Sequence, residues 1–430
     1  MAPRPSALQT IQIGAESLTA RGTAVAALKK LAAMQLSPSL DITTNEHRPS
    51  GDLWLSGTSI GNDASSLAVS GGASYQELPY ALASIIRDVT PTTPGGGTNT
   101  RDWVFAPLAN NADEYRSYTV EHGDKRRAAR VKHACFTEFG LEFRREGVNL
   151  SGAMMAQKYT DDVQMSTNEV QRVTLTNATG GTFKLTFDAQ ETGTIAYNAA
   201  ASAVQAALEA LSNIDVGDVV VTGVAGGPYD VEFRGQYRQT NVNAMTADGG
   251  SLTGTSPTVA VTTPTPGVAP TQLSLVPVLG NTAKVYMDDT YAGLGTTKLT
   301  GAMATGFRIA GRRAPFWTLD ADQESWSDTV DTVPSAEGTL MVSADSEGMA
   351  LLERVRDNET RFFRIETIGR LIEGSLYYRL RIDFAAQVKA PSSLGDQSNV
   401  FAAQFPLAAI KDPTWGKPFE ISVRNTLTGL

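Results

Sequence analysis

The chain has 430 residues, 41% of them apolar and 19% charged, and its 36 Lys and Arg against 45 Asp and Glu leave a net charge of −9. That length exceeds what one hydrophobic core usually supports, and the acidic balance argues against affinity for nucleic acid or anionic membrane as its purpose. A single cysteine, Cys135, excludes an intrachain disulfide and a cysteine-built zinc site.

No run approaches the roughly 20 apolar residues of a membrane helix, and the N-terminal stretch has no signal-peptide core. The expectation is a soluble, cytoplasmically made protein without membrane insertion. In AALKKLAAMQLSPSLDI, Pro38 and the β-favouring LDITT predict a strand after Leu31, followed by a polar loop at NEHRPSGD, 45–52. SSLAVSGGASYQELPYALASIIRDV reads as a short strand, a Gly-Gly turn and a helix from about Tyr75 to Arg87. Its Leu78, Leu82, Ile85 and Ile86 share one face, as in a helix laid on a sheet. TPTTPGGGTNTRD (90–102) reads as a flexible loop. In CFTEFGLEFRREGVNLSGAMM, Phe139, Leu141 and Phe143 alternate with Glu138, Glu142 and Arg144, a strand with one buried and one wet face.

Residues 169–267 differ from both flanks. VQRVTLTNATGGTFKLTFDAQ predicts a hairpin turning at NATGG. YNAAASAVQAALEALSN predicts an amphipathic helix capped by Asn198 or Ser202, with Val204, Ala207, Leu208 and Leu211 inward. DVVVTG, YDVEFRG and TVAVTT supply further strands, giving a small α+β unit of about 100 residues, large enough for its own core. It holds nine acidic and four basic residues, a net of −5, so the other 331 residues carry only −4. PTPGVAP (264–270) reads as a semi-stiff tether. It is the second of two seams, the first near TDDVQMSTNE (160–169), through which this unit interrupts a domain made of 1–168 and 268–430.

In the final third, TGFRIAGRR, GTLMVSAD, RFFRIETIG and SLYYRLRIDFAAQV read as strands. Leu376, Tyr378, Leu380, Ile382 and Phe384 alternate with Tyr377, Arg379, Arg381 and Asp383, which means antiparallel sheet with a solvated face. SADSEGMALLERVRD (343–357) predicts a short helix starting near Ser346 or Glu347, with Leu351, Leu352 and Val355 buried. The fold class is mainly β, an antiparallel sandwich or barrel with one flanking helix.

Catalytic constellations are weak. The histidines are His47, His122 and His133. His133 and Cys135 would share a strand face, yet a strand supplies no third orienting group, and a buried structural cysteine is the plainer reading. DADQESWSDTVD places Asp320, Asp322, Glu324, Asp328 and Asp331 at positions 1, 3, 5, 9 and 12 of an EF-hand count. It lacks the glycine and the bidentate glutamate of that loop, so it is a weak metal candidate against an exposed acidic loop. PGGGTN and GLGTTK match no phosphate-binding fingerprint and read as turns. DKRRAARVKH (124–133), without interleaved aromatics, reads as a charged turn or subunit contact. No catalytic residue and no cofactor is expected, and a non-enzymatic structural protein is.

Outside 169–267 the order of segments resembles the major tail tube proteins of long-tailed, siphovirus-type phages of actinobacterial hosts. The stretches that carry it are IGAESLTARGTAVAALKKL, ASYQELPYALASII, YTVEHGD and FGLEFRREGVNLSGAMM, then KVYMDD, TKLTGAMATGFRI, SADSEGMALLERVRDNETRFFRIETIG, YYRLRIDFAAQV and DPTWGKPFEISVRNTL. The resemblance covers 10–165 and 270–430 and contains no catalytic signature. It implies a virion subunit whose hexameric rings join sheets edge to edge and stack into a tube, made in the host cytoplasm. The implied partners are copies of itself, a tape measure protein, tail terminator and distal tail proteins, and double-stranded DNA that passes without specific binding. The unit at 169–267 resembles a module added to several phage structural proteins and would decorate the outer wall. The competing expectation is a surface-displayed, adhesin-like β-protein with 169–267 as its ligand domain.

Overall fold

A computed structural model describes residues 9–123, 128–163, 168–320, 322–357, 359–397 and 399–430. The first part comprises β1 (Thr10–Ala15), β2 (Lys29–Lys30), β3 (Met34–His47), β4 (Gly57–Gly72), α1 (Leu78–Ile85), β5 (Arg101–Phe105), β6 (Tyr118–Gly123), β7 (Ala128–Arg144), β8 (Gly147–Ala156) and β9 (Thr160–Val163). Next come β10 (Val170–Phe187), β11 (Gln190–Glu191), β12 (Ile195–Ala196), α2 (Ala201–Glu209), β13 (Val219–Gly223), β14 (Tyr229–Phe233), β15 (Thr246–Asp248) and β16 (Leu252–Thr265). The chain returns through β17 (Thr271–Gln272), β18 (Lys284–Asp288), β19 (Ala302–Ala310), β20 (Arg313–Phe316), β21 (Asp328–Asp331), β22 (Ser335–Ser343), α3 (Ser346–Asp357), β23 (Thr360–Glu373), β24 (Leu376–Val388), β25 (Ser393–Gln397), β26 (Val400–Ala409) and β27 (Phe419–Asn425).

Strand alternation builds two facing sheets. One runs β3-β4-β8-β7-β19-β22-β26, the other β18-β23-β24-β27-β5, all antiparallel. The end of β24 also pairs with β26, joining the sheets at a corner. Between the faces the Phe307 ring on β19 lies 5.2 Å from Phe384 on β24 and 5.3 Å from Phe419 on β27. A side sheet forms where β1 pairs with β2 and β6, and β6 with the start of β7. Here β17 adds to β2 in parallel, an exception to the antiparallel expectation.

Helix α1 departs from the predicted one-faced helix. All eight of its residues are buried, including Tyr80, Ala81, Ala83 and Ser84 on what should have been its wet side. It is shorter than the Tyr75–Arg87 prediction, and at its C-terminal end buried side chains take over the hydrogen bonds of its last carbonyls. At its start the Glu77 carboxylate accepts the backbone N–H groups of Ala32, Ala33 and Met34, fixing the entry to β3. At its end the Arg313 guanidinium donates to the carbonyls of Ser84, Ile85 and Ile86, stacks 4.0 Å over the Tyr115 ring and sits 3.4 Å from Asp331. The Tyr80 and Ala83 carbonyls accept from Tyr118 Oη and the Arg116 N–H. A helix end buried without such partners would leave several carbonyls unsatisfied.

The second core is separate. Val173, Phe183, Leu185, Phe187, Val204, Leu208, Tyr229, Val231 and Phe233 pack together, and no residue of 169–267 belongs to the main cluster. The predicted hairpin at NATGG is instead one strand, β10, paired along most of its length with β16. Asn177 and Gly181 take left-handed conformations there, but the strand does not turn back, and Asn177 lies in a bulge within the register shifts at 176–180. Gly181 is required, since a Cβ would come within 2.1 Å of the Ser251 carbonyl oxygen. The tight turn falls later, at Asp188–Ala189, both at positive φ, where Phe187 faces Gln190. Helix α2 starts after Ala200 with no side-chain cap, so neither Asn198 nor Ser202 caps it. Val204 and Leu208 are its buried residues, and Leu211 is buried just past its end.

The two seams meet. Val170 pairs with Thr265, and the buried Glu169 carboxylate accepts from the Gly267 and Val242 N–H groups and from Gln171. Residues 164–167 of the first seam lie outside the described residues. We expect that replacing 169–267 by a short Gly/Ser link leaves the remainder folded. All five tryptophans lie outside that stretch, so tryptophan fluorescence in urea reads the remainder alone; a midpoint unchanged by the deletion agrees, and loss of the transition refutes it. Glu77→Ala should lower that midpoint, costing about 3 kcal/mol, because the buried Met34 N–H and the part-buried Ala32 and Ala33 N–H groups lose their acceptor.

Candidate assembly surfaces

Several strongly exposed apolar residues are grouped on one strand pair. Within the body β4 pairs with both β3 and β8, but only from Ser65 to Gly72. Beyond Leu40 and Ser65 the two strands continue as an unsupported ribbon, so β3 runs to His47, past the start of the loop predicted at 45–52. Met34 and Leu36, buried on β3, are followed at the same two-residue spacing by Leu40 and Ile42, which are exposed. The core-facing stripe thus runs out into solvent. Ile60, opposite Thr44, is 71% exposed, and the connection at the tip carries Leu53 at 84% and Trp54 at 83%. A two-stranded ribbon of this kind is marginal alone, and its apolar face marks a contact surface.

A second apolar projection stands at the same end, where Ser325 Oγ donates to the Asp63 carbonyl at the root of the ribbon. It is the β20–β21 hairpin, with Phe316, Leu319, Val330 and Val333 exposed around it. At the other end Leu275, Leu279, Met349 and Phe401 are exposed.

The polar strand faces are charge-compensated, and the face expected to be solvated on β24 is partly covered: Asp383 is buried, contrary to expectation, and makes a bidentate pair with Arg364 at 2.7 Å, while Arg424 makes another with Asp102, and Arg381 binds Glu366. Across the other sheet Arg308 pairs with Glu138 and Arg144 with Glu142. Arginine forks matched to carboxylates in this way cancel charge locally.

The residues singled out for chemistry are dispersed. Cys135 is fully buried and burial pushes its thiol up to about 12. His133 is buried against Trp326, 4.5 Å between rings, donates or accepts with Tyr115 Oη at 2.8 Å, and is pushed down to about 4 by burial. At neutral pH the pair is therefore a thiol and a neutral imidazole. His47 bonds Ser59 on the ribbon, and His122 lies in β6. Of the acidic loop, Asp331 faces Arg312 and Arg313, Glu324 pairs with Lys158, Asp320 accepts from the Asp322 N–H and Asp328 from the Thr329 N–H. Among the described residues no three His, Cys, Asp or Glu side chains are grouped to hold a metal. Residues 124–127 of the basic cluster lie outside the described residues; its Arg130 pairs with the buried Glu121.

The two glycine-rich loops do bind anions, and the anions are the chain's own carboxylates. In PGGGTNT the N–H groups of Thr98, Asn99 and Thr100 and both threonine hydroxyls converge on Glu373. The segment expected to be a flexible loop is thereby tied down. In GLGTT the Gly295 N–H and Thr296 hydroxyl hold Asp288. Successive N–H groups in turns make such anion-binding concavities.

The Thr100 hydroxyl, with its neighbours, holds Glu373 down to about 2 against an ordinary 4.5. A carboxylate depressed in the folded state stabilises above its ordinary value, and that contribution is lost as pH falls from 4.5 through about 2. Protection of the Thr98–Thr100 amides, their exchange rates referred to those of an unstructured chain at the same pH, should therefore be high at pH 7, fall towards pH 2, and be low at pH 7 in Glu373→Ala; pH-independent protection would contradict the assignment.

No family model matches the chain. Over 104 residues, 23% of this chain, it is 35% identical to the tail sheath protein of Mycobacterium phage Bxz1, and the shared stretch spans 17% of that relative. The chain thus shares a homologous segment with a structural protein of a phage tail.

Proposed function

We propose that the chain is a structural subunit of a phage tail and, more finely, its major tail tube protein. Copies form rings, six subunits each by the resemblance described above, and the rings stack into a tube that conducts DNA. The observation that carries this reading is the polarity of the apolar surface: a ribbon whose core stripe runs into solvent at one end, and exposed apolar residues at the other. A contact between unlike ends of identical copies does not close and generates filaments.

Two further observations support it. The strand faces available to line a lumen carry paired charges, and duplex DNA, with one charge per ~1.7 Å, slides past a compensated surface rather than binding it by counterion release. The homologous stretch of 104 residues is also the size of the unit at 169–267. We read it as a module carried by tail proteins of different kinds, sited here on the outer wall, where it leaves the lumen open. A tape measure protein, a terminator and distal tail proteins are the further partners of this role, and the role needs no catalysis or cofactor.

Negative-stain microscopy of concentrated protein tests it. Stacked rings or hollow tubes are expected, with the deletion of 169–267 giving thinner-walled tubes. Globular monomers that persist after tail-tip components are added would sink the proposal.

A further inference from the structure

Beside the C-terminal end of α1 a cavity of about 300 Å³ opens between the loop after β5 and the ends of β19 and β26. Eleven of the thirteen residues that line it are apolar, among them Ile85, Ile86 and Leu108 and the fully buried core residues Ile309 and Phe419. Leu108 is nevertheless 42% exposed. The two remaining residues are both cations, Arg312 and Lys411.

The charges around Arg312 do not balance. Its Nη2 donates to the buried Asp113 carboxylate at 2.6 Å and lies 3.7 Å from Asp331, but Asp113 also faces Arg87 and Asp331 also faces Arg313. Two carboxylates thus answer three guanidiniums. The buried Arg312 Nε finds no hydrogen-bond acceptor among the described residues, and the exposed Lys411 pairs with no carboxylate there. A buried charged donor left without an acceptor is costly, and an oxygen brought by a ligand removes that cost.

We infer that this cavity binds a small apolar carboxylate, its hydrocarbon chain against the isoleucine, leucine and phenylalanine walls and its carboxylate at Arg312 and Lys411. Apolar walls with a few convergent polar groups are the usual make-up of a ligand site. Here the polar side chains carry one sign, which selects an anion over an alcohol or an amine of the same length. The volume holds about ten heavy atoms at ~30 Å³ each, the size of octanoate. The wall stands ready before a ligand arrives: the Leu108 N–H donates to both Asp113 oxygens at 3.1 Å, so the loop carrying Leu108 is fastened through Asp113 to Arg312. The site is complete within one chain and is independent of the assembly proposed above.

Calorimetric titration of the intact protein with octanoate, octanol and octylamine tests it. The expected result is one octanoate per chain, with octanol and octylamine at least ten-fold weaker. Lys411→Gln, which changes an exposed side chain, should weaken octanoate at least three-fold and leave octanol unchanged. Ala109→Trp, at an exposed position on the lining, should weaken all three ligands. Both variants should keep the wild-type far-UV unfolding midpoint. Wild-type protein that takes up no octanoate overturns the inference, as does equal affinity for octanoate and octanol, or octanoate binding that both variants leave untouched.

Discussion

The body is organised around the burial of one short helix. Eight helical residues with no face to solvent bring backbone groups into the interior, and a buried ion stands at each end, Arg313 meeting the helix's own last carbonyls and Glu77 meeting the amides of the strand entry beside it. Glu77 gathers three amides from the approach to β3, and Arg313 gathers carbonyls from the end of α1. Each side chain ties the helix to a distant segment, one before β3 and one in β20. The start of β3 and the β20–β21 hairpin are thus both tied to the same helix, each by a charged hydrogen bond. Aliphatic replacements could fill the same volume but could not fix the direction of the helix or the phase of the strands around it.

Around that anchor the sheets solve their edge problem unevenly. At the corner β26 meets β24, and the long uncharged edge strand β16 carries Pro257 and Pro264, which cannot donate to an added strand. The ribbon is the exception, since it continues the buried stripe of β3 beyond the body without cover. A sequence that kept Leu40, Ile42, Leu53, Trp54 and Ile60 in a monomeric protein would be carrying an aggregation liability. In an assembling one these residues are the interface.

Much of this was legible in the residues, and the failures have physical causes. Two-residue alternation found the strands of the final third and the buried face of β7, because a sheet with one wet face writes its period directly. The all-round burial of α1 was not legible: Tyr80 and Ser84 look compatible with a wet face until Tyr118, Arg116 and Arg313 are seen to meet the helix backbone. NATGG has the composition of a turn, yet Asn177 spends its left-handed conformation on a bulge and Gly181 on a close approach to the Ser251 carbonyl. The glycine-rich loops failed the phosphate patterns correctly, but their ligands, Glu373 and Asp288, could not be named, since one lies more than 270 residues away from its loop. The apolar tip sat in plain view in GDLWLSG, and the signal missed there was a run of large apolar residues inside a Pro/Gly loop.

The meeting of the two seams has a consequence for what this body can carry. Val170 and Thr265 are cross-strand partners, so entry and exit stand about one strand spacing apart, roughly 5 Å. Any folded unit whose own ends are that close could occupy the position without altering the geometry beneath it. The seam therefore acts as a port, at which a lectin, an enzyme or a display epitope with closely spaced ends could stand in place of 169–267 on every copy of the chain.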